Sequence, residues 1–126
     1  IDSLGLKGTI DVVSTDFLAD LDTQLETGGM SAESGGHYCD PLFAFMMVYN
    51  AIKGNYAVST DGFYEILFPY LYVASPEDYA AYATLFVDEL PYDAEELKAM
   101  AAEDFDGLAA TAGALSIADV QARHAS

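Results

Sequence analysis

The sequence predicts an all-α protein: an up-and-down bundle of four main helices, one or two short accessory helices and an extended N-terminal arm. Three observations predict it. Apolar residues recur at i, i+3, i+4 and i+7 in several segments, which is the spacing of one helix face. Most of these segments follow a Ser, Thr or Asp suited to capping the free N–H groups of a first turn. The 126 residues are 52% apolar, enough for one core, since a domain near this size buries roughly two-thirds of its unfolded surface.

The elements follow in order. Residues 1–13 read as an extended arm, with Gly5 and Gly8 ahead of Thr9-Ile10-Asp11-Val12-Val13. Ser14-Thr15-Asp16 is the expected cap of a first helix whose face is Phe17, Leu18, Leu21 and Leu25. Gly28-Gly29 ends it, because glycine tolerates the left-handed turn after a helix. Met30–Cys39 reads as a Ser/Gly-rich loop. Asp40-Pro41 opens the second helix, with Asp40 as cap and Pro41 where its missing N–H is no loss. Leu42, Phe43, Phe45, Met46, Met47, Val48, Tyr49 and Ile52 make that helix apolar nearly all round. Such a helix is either central in a core or covered by a partner. Lys53 suits its negative end, and Gly54 stops it.

Thr60-Asp61 is the expected cap of a third helix over 62–74, with Phe63, Ile66, Leu67, Tyr70 and Leu71 on one face and Pro69 kinking it. Ser75-Pro76-Glu77-Asp78 is a fresh start signal, followed by Tyr79, Tyr82, Ala83, Phe86 and Leu90 at helical spacing up to Pro91. Asp93-Ala94-Glu95-Glu96 is another capping box, and Leu97, Met100, Ala101, Phe105 and Leu108 continue from it to Gly107 or Gly113. Ser116 caps a short terminal helix or precedes a frayed tail. The organisation is therefore an arm over 1–13, a bundle over 14–113 and a tail or short helix over 114–126. No repeat of fixed period is present.

Charge excludes several functions. There are 21 Asp+Glu against 4 Lys+Arg, a formal net charge of -17. Phosphate contacts require Lys and Arg, so nucleic acid is not expected as a partner. Direct binding to an anionic membrane is disfavoured for the same reason. The longest nearly uncharged apolar stretch, Pro41–Ile52, is about half of the ~20 residues a spanning helix needs, so no transmembrane helix is expected. A single cysteine, Cys39, forbids an internal disulfide. The chain starts Ile1-Asp2-Ser3, which reads as a mature end after removal of a targeting segment.

No catalytic motif emerges. His37-Tyr38-Cys39-Asp40 is the densest group of metal-ligand types, but zinc takes four ligands, commonly in two close pairs. The other histidine, His124, is far along the chain and no second cysteine exists. Asp104-Phe105-Asp106-Gly107 and the acids from Asp88 to Glu96 lack the calcium-loop spacing and read as caps and a solvated face. The expectation is no catalytic residue, no cofactor and no metal. Nine Tyr and seven Phe are more informative, because tyrosine is enriched in wet interfaces. Phe63, Tyr64, Tyr70 and Tyr72, rimmed by Glu77 and Asp78, are the expected partner contacts.

Size (13.5 kDa), acidity, a processed-looking start and the expected bundle together resemble the helical-bundle extrinsic proteins of algal photosystem II, the diatom-specific extrinsic subunit and the PsbQ-like type. The resemblance covers Ser14 to about Gly113 as architecture and transfers no functional residue. It implies a non-enzymatic subunit in the thylakoid lumen, peripheral to a membrane complex, that stabilises this larger assembly through its basic docking surface. Two alternatives stay open. One is a small-molecule or pigment carrier, its pocket lined by the second helix and Pro69. The other is a soluble acidic protein of a halophile.

Overall fold

A computed structural model describes residues 2–36, 39–58 and 61–125. It corrects the all-α bundle: six α-helices accompany a three-stranded mixed sheet among the described residues. The chain forms two compact units, each built from two stretches, residues 1–37 with 70–89 and residues 38–69 with 90–126.

In the first unit, β1 (Val13–Thr15) runs parallel to β2 (Ala32–Gly35), and β2 runs antiparallel to β3 (Leu71–Val73). Val13 lies opposite Ala32, and Gly35 opposite Leu71. A parallel pair needs a long crossover, and residues 16–31 supply it. The first helix is consequently shorter than expected: Ser14 and Thr15 belong to β1, and α1 spans Leu21–Glu26. Asp16 turns the chain with a φ of 72° and donates its N–H to the Ser34 carbonyl at 2.7 Å. Here the strand passes so close that a Cβ on Gly35 would sit 3.2 Å from the Phe17 ring. Gly28, with a φ of 70°, closes α1 as its sequence predicts.

The expected helix over 62–74 is the second correction. Residues 63–70 are neither helix nor strand and lead into β3. Phe63, Glu65 and Leu67 face outward while Tyr64, Ile66 and Phe68 are half-buried, and Leu71 and Val73 are buried around exposed Tyr72. Each run alternates, and the phase shifts at Pro69-Tyr70, where two exposed residues stand together. Pro69 lacks the amide a helix interior needs and disfavours the helical conformation in the residue before it. Thr60, the expected cap, lies outside the described residues.

After β3, Ser75 caps α3 (Pro76–Tyr82), its hydroxyl oxygen accepting the Asp78 N–H at 3.1 Å. The helix widens into a π-helical turn over Ala83–Asp88. Leu21, Leu71, Val73, Tyr82 and Phe86 form the core of this unit, with Phe17 edge-on to Tyr82 at 4.5 Å and Tyr82 stacked on Phe86 at 5.7 Å.

In the second unit, α2 spans Asp40–Lys53 and ends at Gly54, whose φ is 82°. Cys39 rather than Asp40 holds the cap position. The Asp93 capping box starts α4 (Ala94–Met100), with the Asp93 N–H donating to Glu96 Oε2 at 2.7 Å and the Glu96 N–H to Asp93 Oδ1 at 2.9 Å. The stripe expected to run on through Leu108 breaks after Met100. Asp104 caps a separate α5 (Phe105–Ala114), and Ser116 caps α6 (Ile117–His124). Phe43, Met46, Tyr92, Met100, Leu108, Ala112 and Val120 make the core. Asn50 is buried among them, its Nδ2 donating to the carbonyls of Met100 at 2.7 Å and Glu103 at 2.9 Å. One side chain thereby holds the turn between α4 and α5 against α2.

Candidate functional site

The main exposed feature of the second unit is the outer face of α2. At about 100° per residue, Phe43, Met46 and Asn50 share one side of the helix and are buried, whereas Phe45, Val48, Tyr49 and Ile52 share the other. Phe45 and Val48 are each 61% exposed and Ile52 is 81% exposed. The four stand at i, i+3, i+4 and i+7, so they form one stripe. Phe45 and Tyr49 stack with ring centroids 6.0 Å apart, and Lys53 Nζ lies 5.6 Å from the Tyr49 ring. Polar Asn50 is inside with Phe43 and Met46, while four large apolar residues stand outside. The apolar surround was visible in the sequence; which side would be covered was not.

The six residues expected at the partner contact are divided between the units. Phe63 and Tyr64 belong to the second, and Tyr70, Tyr72, Glu77 and Asp78 to the first. The helix that was to align them is absent. Phe63 is fully exposed. Tyr64 is packed 4.6 Å from Phe105 and 5.7 Å from Tyr56, and its hydroxyl donates to the Ala57 carbonyl at 2.8 Å. Tyr70 is exposed, and Tyr72 stands exposed on the sheet across from Ser34. Glu77 is exposed in the first turn of α3. Asp78 Oδ2 accepts the Ala74 N–H at 3.2 Å, so Asp78 has a structural part in the start of that helix.

The basic residues are all committed. Lys7 pairs with Asp2 at 3.8 Å, Lys98 pairs with Glu95, and Lys53 sits on Tyr49. Arg123 is a clamp: its guanidinium binds Glu96, donates through Nε to Asp119 at 3.0 Å and through Nη2 to the Pro91 carbonyl at 2.9 Å, and stacks 4.6 Å from the Tyr92 ring centre. Burial by itself would raise the Glu96 carboxyl, yet the Asp93 N–H, Arg123 and His124 hydrogen-bond it and hold it below its ordinary value. His124 Nε2 lies 3.3 Å from Glu96, while His37 lies outside the described residues. The Cys39 thiol is pushed up to about 11 by burial and by the neighbouring Asp40 charge. It is therefore protonated and weakly nucleophilic near neutral pH.

Among the described residues no group of three or more His, Cys, Asp or Glu gathers as a metal site, and no helix is long and apolar enough to cross a membrane. No family model, no curated protein and no solved structure matches the chain.

Proposed function

We propose that this chain is a non-enzymatic acidic interaction subunit that docks on a larger assembly through the outer face of α2. The carrying observation is the exposed stripe Phe45, Val48, Tyr49 and Ile52. An amphipathic helix laying such anchors into an apolar groove is a recurring recognition mode, and apolar patches left on a soluble surface mark interaction sites. The buried, protonated Cys39 and the tethered His124 support a role without nucleophilic chemistry.

Charge selects the occupant. With a net charge of -17 and every Lys and Arg already engaged, a second copy of this chain would be repelled. The fitting partner is a protein groove rimmed by Lys and Arg, whose field speeds encounter and fixes register. Lys53 on Tyr49 shows how a partner cation would stack there. A lumenal photosystem complex is one assembly of this kind, but the bundle on which that resemblance leaned is absent, so the proposal stands on the surface of α2.

Co-sedimentation of the protein with the large assemblies of a native extract tests it. The expected result is co-sedimentation that is lost in molar salt and lost in the folded double variant Phe45→Ala/Ile52→Ala. Co-sedimentation unchanged by that variant would move docking elsewhere. A salt-sensitive dimer of the isolated chain in analytical ultracentrifugation would make a second copy the occupant.

A further inference from the structure

We propose that the free edge of β1 takes up an extended segment of a basic partner protein, which adds a strand to the three-stranded sheet of the first unit. This surface is separate from the outer face of α2, and different amides report on the two.

Backbone geometry opens the edge. The strands lie in the order β1-β2-β3, and all three residues of β1 are exposed, Val13 to 73%. The Val12 carbonyl accepts the Ala32 N–H at 3.4 Å, and the Asp16 N–H donates to the Ser34 carbonyl at 2.7 Å. Successive residues of a strand turn to opposite sides. Val12, Ser14 and Asp16 therefore bond toward β2, while Val13 and Thr15 aim their N–H and C=O groups away from it. Neither of those N–H groups has a partner among the described residues, and the Thr15 carbonyl meets only the Ser14 hydroxyl, at 3.4 Å. Such a row of unpaired donors and acceptors is a template for another strand, and strand addition is a recurring mode of recognition. Edges are ordinarily shielded by Lys or Pro, and Val13-Ser14-Thr15 has neither. A groove of about 400 Å³ opens beside the edge, with Val13, Thr15, Ala32, Ser34 and Tyr72 among its walls. Thr15 pairs with Ser34 and Ser34 with Tyr72, so the groove crosses the outward face of the sheet and leaves room for side chains of an added strand.

Charge selects the occupant. Asp11 and Asp16, both exposed, stand at the two ends of the edge. Residues 1–37 and 70–89 hold Lys7 as their only Lys or Arg, and Lys7 is engaged with Asp2 at 3.8 Å. The edge therefore complements an extended segment that carries Lys or Arg at each end, and it repels an acidic one. A second copy of the chain, with a net charge of -17, has the wrong sign.

The experiment titrates the ¹⁵N-labelled full chain with the peptide acetyl-Lys-Val-Thr-Val-Thr-Lys-amide, whose lysines are spaced as Asp11 and Asp16 are. The buffer holds about 0.15 M NaCl, which screens charge beyond ~8 Å. Two control peptides run in parallel: one with Glu in place of both Lys, and one N-methylated at every central residue, which keeps the charge and removes the donors. The expected result is a saturable shift of the Val13 and Thr15 amides with the lysine peptide and none with either control. Val13→Pro removes one outward N–H and leaves the bonds to β2, a substitution that edge strands accommodate, and it should abolish the shift at Thr15. Asp11→Asn/Asp16→Asn removes the charge, keeps an acceptor for the Ser31 hydroxyl that now donates to Asp11 at 3.1 Å, and retains a residue type that adopts the left-handed turn. It should weaken binding about fivefold. Where Val13→Pro disturbs the fold, the N-methylated peptide tests the same hydrogen bonds from the partner's side. Equal binding of either control peptide, unchanged affinity in either folded variant, or no saturable shift would each overturn the proposal. Shifts confined to α2 would overturn it and leave docking through α2 standing. Shifts of Val13 and Thr15 on concentrating the chain alone would make a second copy the occupant and overturn it as well.

Discussion

The two units hold short elements together with different polar devices. Residues 38–69 and 90–126 use a cation: Arg123 ties α6 to Glu96 at the start of α4 and to the Pro91 carbonyl. Residues 1–37 and 70–89 contain only Lys7 among Lys and Arg, and its pair with Asp2 is exposed. Their central device is an acid. Glu33, in the middle strand and 1% exposed, accepts the Leu18 N–H on Oε2 at 2.9 Å. A guanidinium can satisfy several acceptors at once, whereas a carboxylate can serve several backbone donors without any cation. A chain with four basic residues can therefore build one unit around a cation and must build the other without one.

Removing the clamp should have the largest effect. Arg123→Met leaves Glu96 and Asp119 facing each other's charge. Breaking a fully buried pair costs about 3–5 kcal/mol, and since the Arg123 side chain is 26% exposed, about 2 kcal/mol is expected. Hydrogen exchange should show the loss in α4 and α6 and leave the β2–β3 amides protected. Acid should act on the same unit. The folded Glu96 carboxyl is held below its ordinary value, so its contribution is complete above that value and fades as pH falls through the lower folded one. Urea titrations of wild type and Arg123→Met should converge once the pH has fallen below the lowered folded value of Glu96. Parallel curves down to lower pH would assign the acid loss to other carboxylates.

Glu33→Ala tests the other device. It strands the Leu18 N–H and opens space beside β2, for about 1–2 kcal/mol, with Glu33→Gln recovering most of it because an amide oxygen still accepts. Here exchange should accelerate in β2 and α1 while α4 and α6 keep their protection. Global loss of protection by either variant would show that the two units unfold together.

A smaller effect is expected at alkaline pH, again confined to the second unit. The folded Cys39 thiol is raised from 9.0 to about 11. Its folded state therefore keeps the proton while an unfolded thiol loses it, and stability falls as pH rises from about 9 to 11, on the order of 1 kcal/mol. Cys39→Ala should flatten that limb in a thermal-unfolding series, and an unchanged slope would exclude the thiol as its origin.

What the sequence reveals about these units follows the range of the forces involved. Ser75, Asp93, Asp104 and Ser116 each cap a helix with their own side chain, and that chemistry spans only three residues. β2, Ala-Glu-Ser-Gly, has no β-branched or aromatic residue. It is a strand because β1 and β3 lie beside it, and those partners are distant in sequence. In 63–71 the residues Phe63, Ile66, Leu67, Tyr70 and Leu71 keep helical spacing while Tyr64, Ile66 and Phe68 keep alternating spacing, an ambiguity inherent to short apolar runs, and Pro69 disfavours the helix. The division of α2 into a covered and an open face depends on the carbonyls of Met100 and Glu103 that draw Asn50 inward, which no local pattern encodes.

The smallest expected change in stability carries the most about function. Ile52 makes its face of α2 apolar yet is 81% exposed, so Ile52→Ser gives up little burial in the free protein. Surface substitutions of this kind usually stay within about 0.5 kcal/mol. The small difference in helix propensity between Ile and Ser does not alter that bound. Met46, six residues earlier on the covered side, should lose about 2–5 kcal/mol as Met46→Ala. Placing both variants in the same urea titration separates the two faces of one helix by energy alone. If α2 docks on a partner, Ile52→Ser should leave unfolding unchanged and still speed dissociation from that partner, by about 1–2 kcal/mol for a central anchor. A large loss of stability in the free Ile52→Ser protein would mean that the stripe is already covered within the chain, and the docking reading would fall with it.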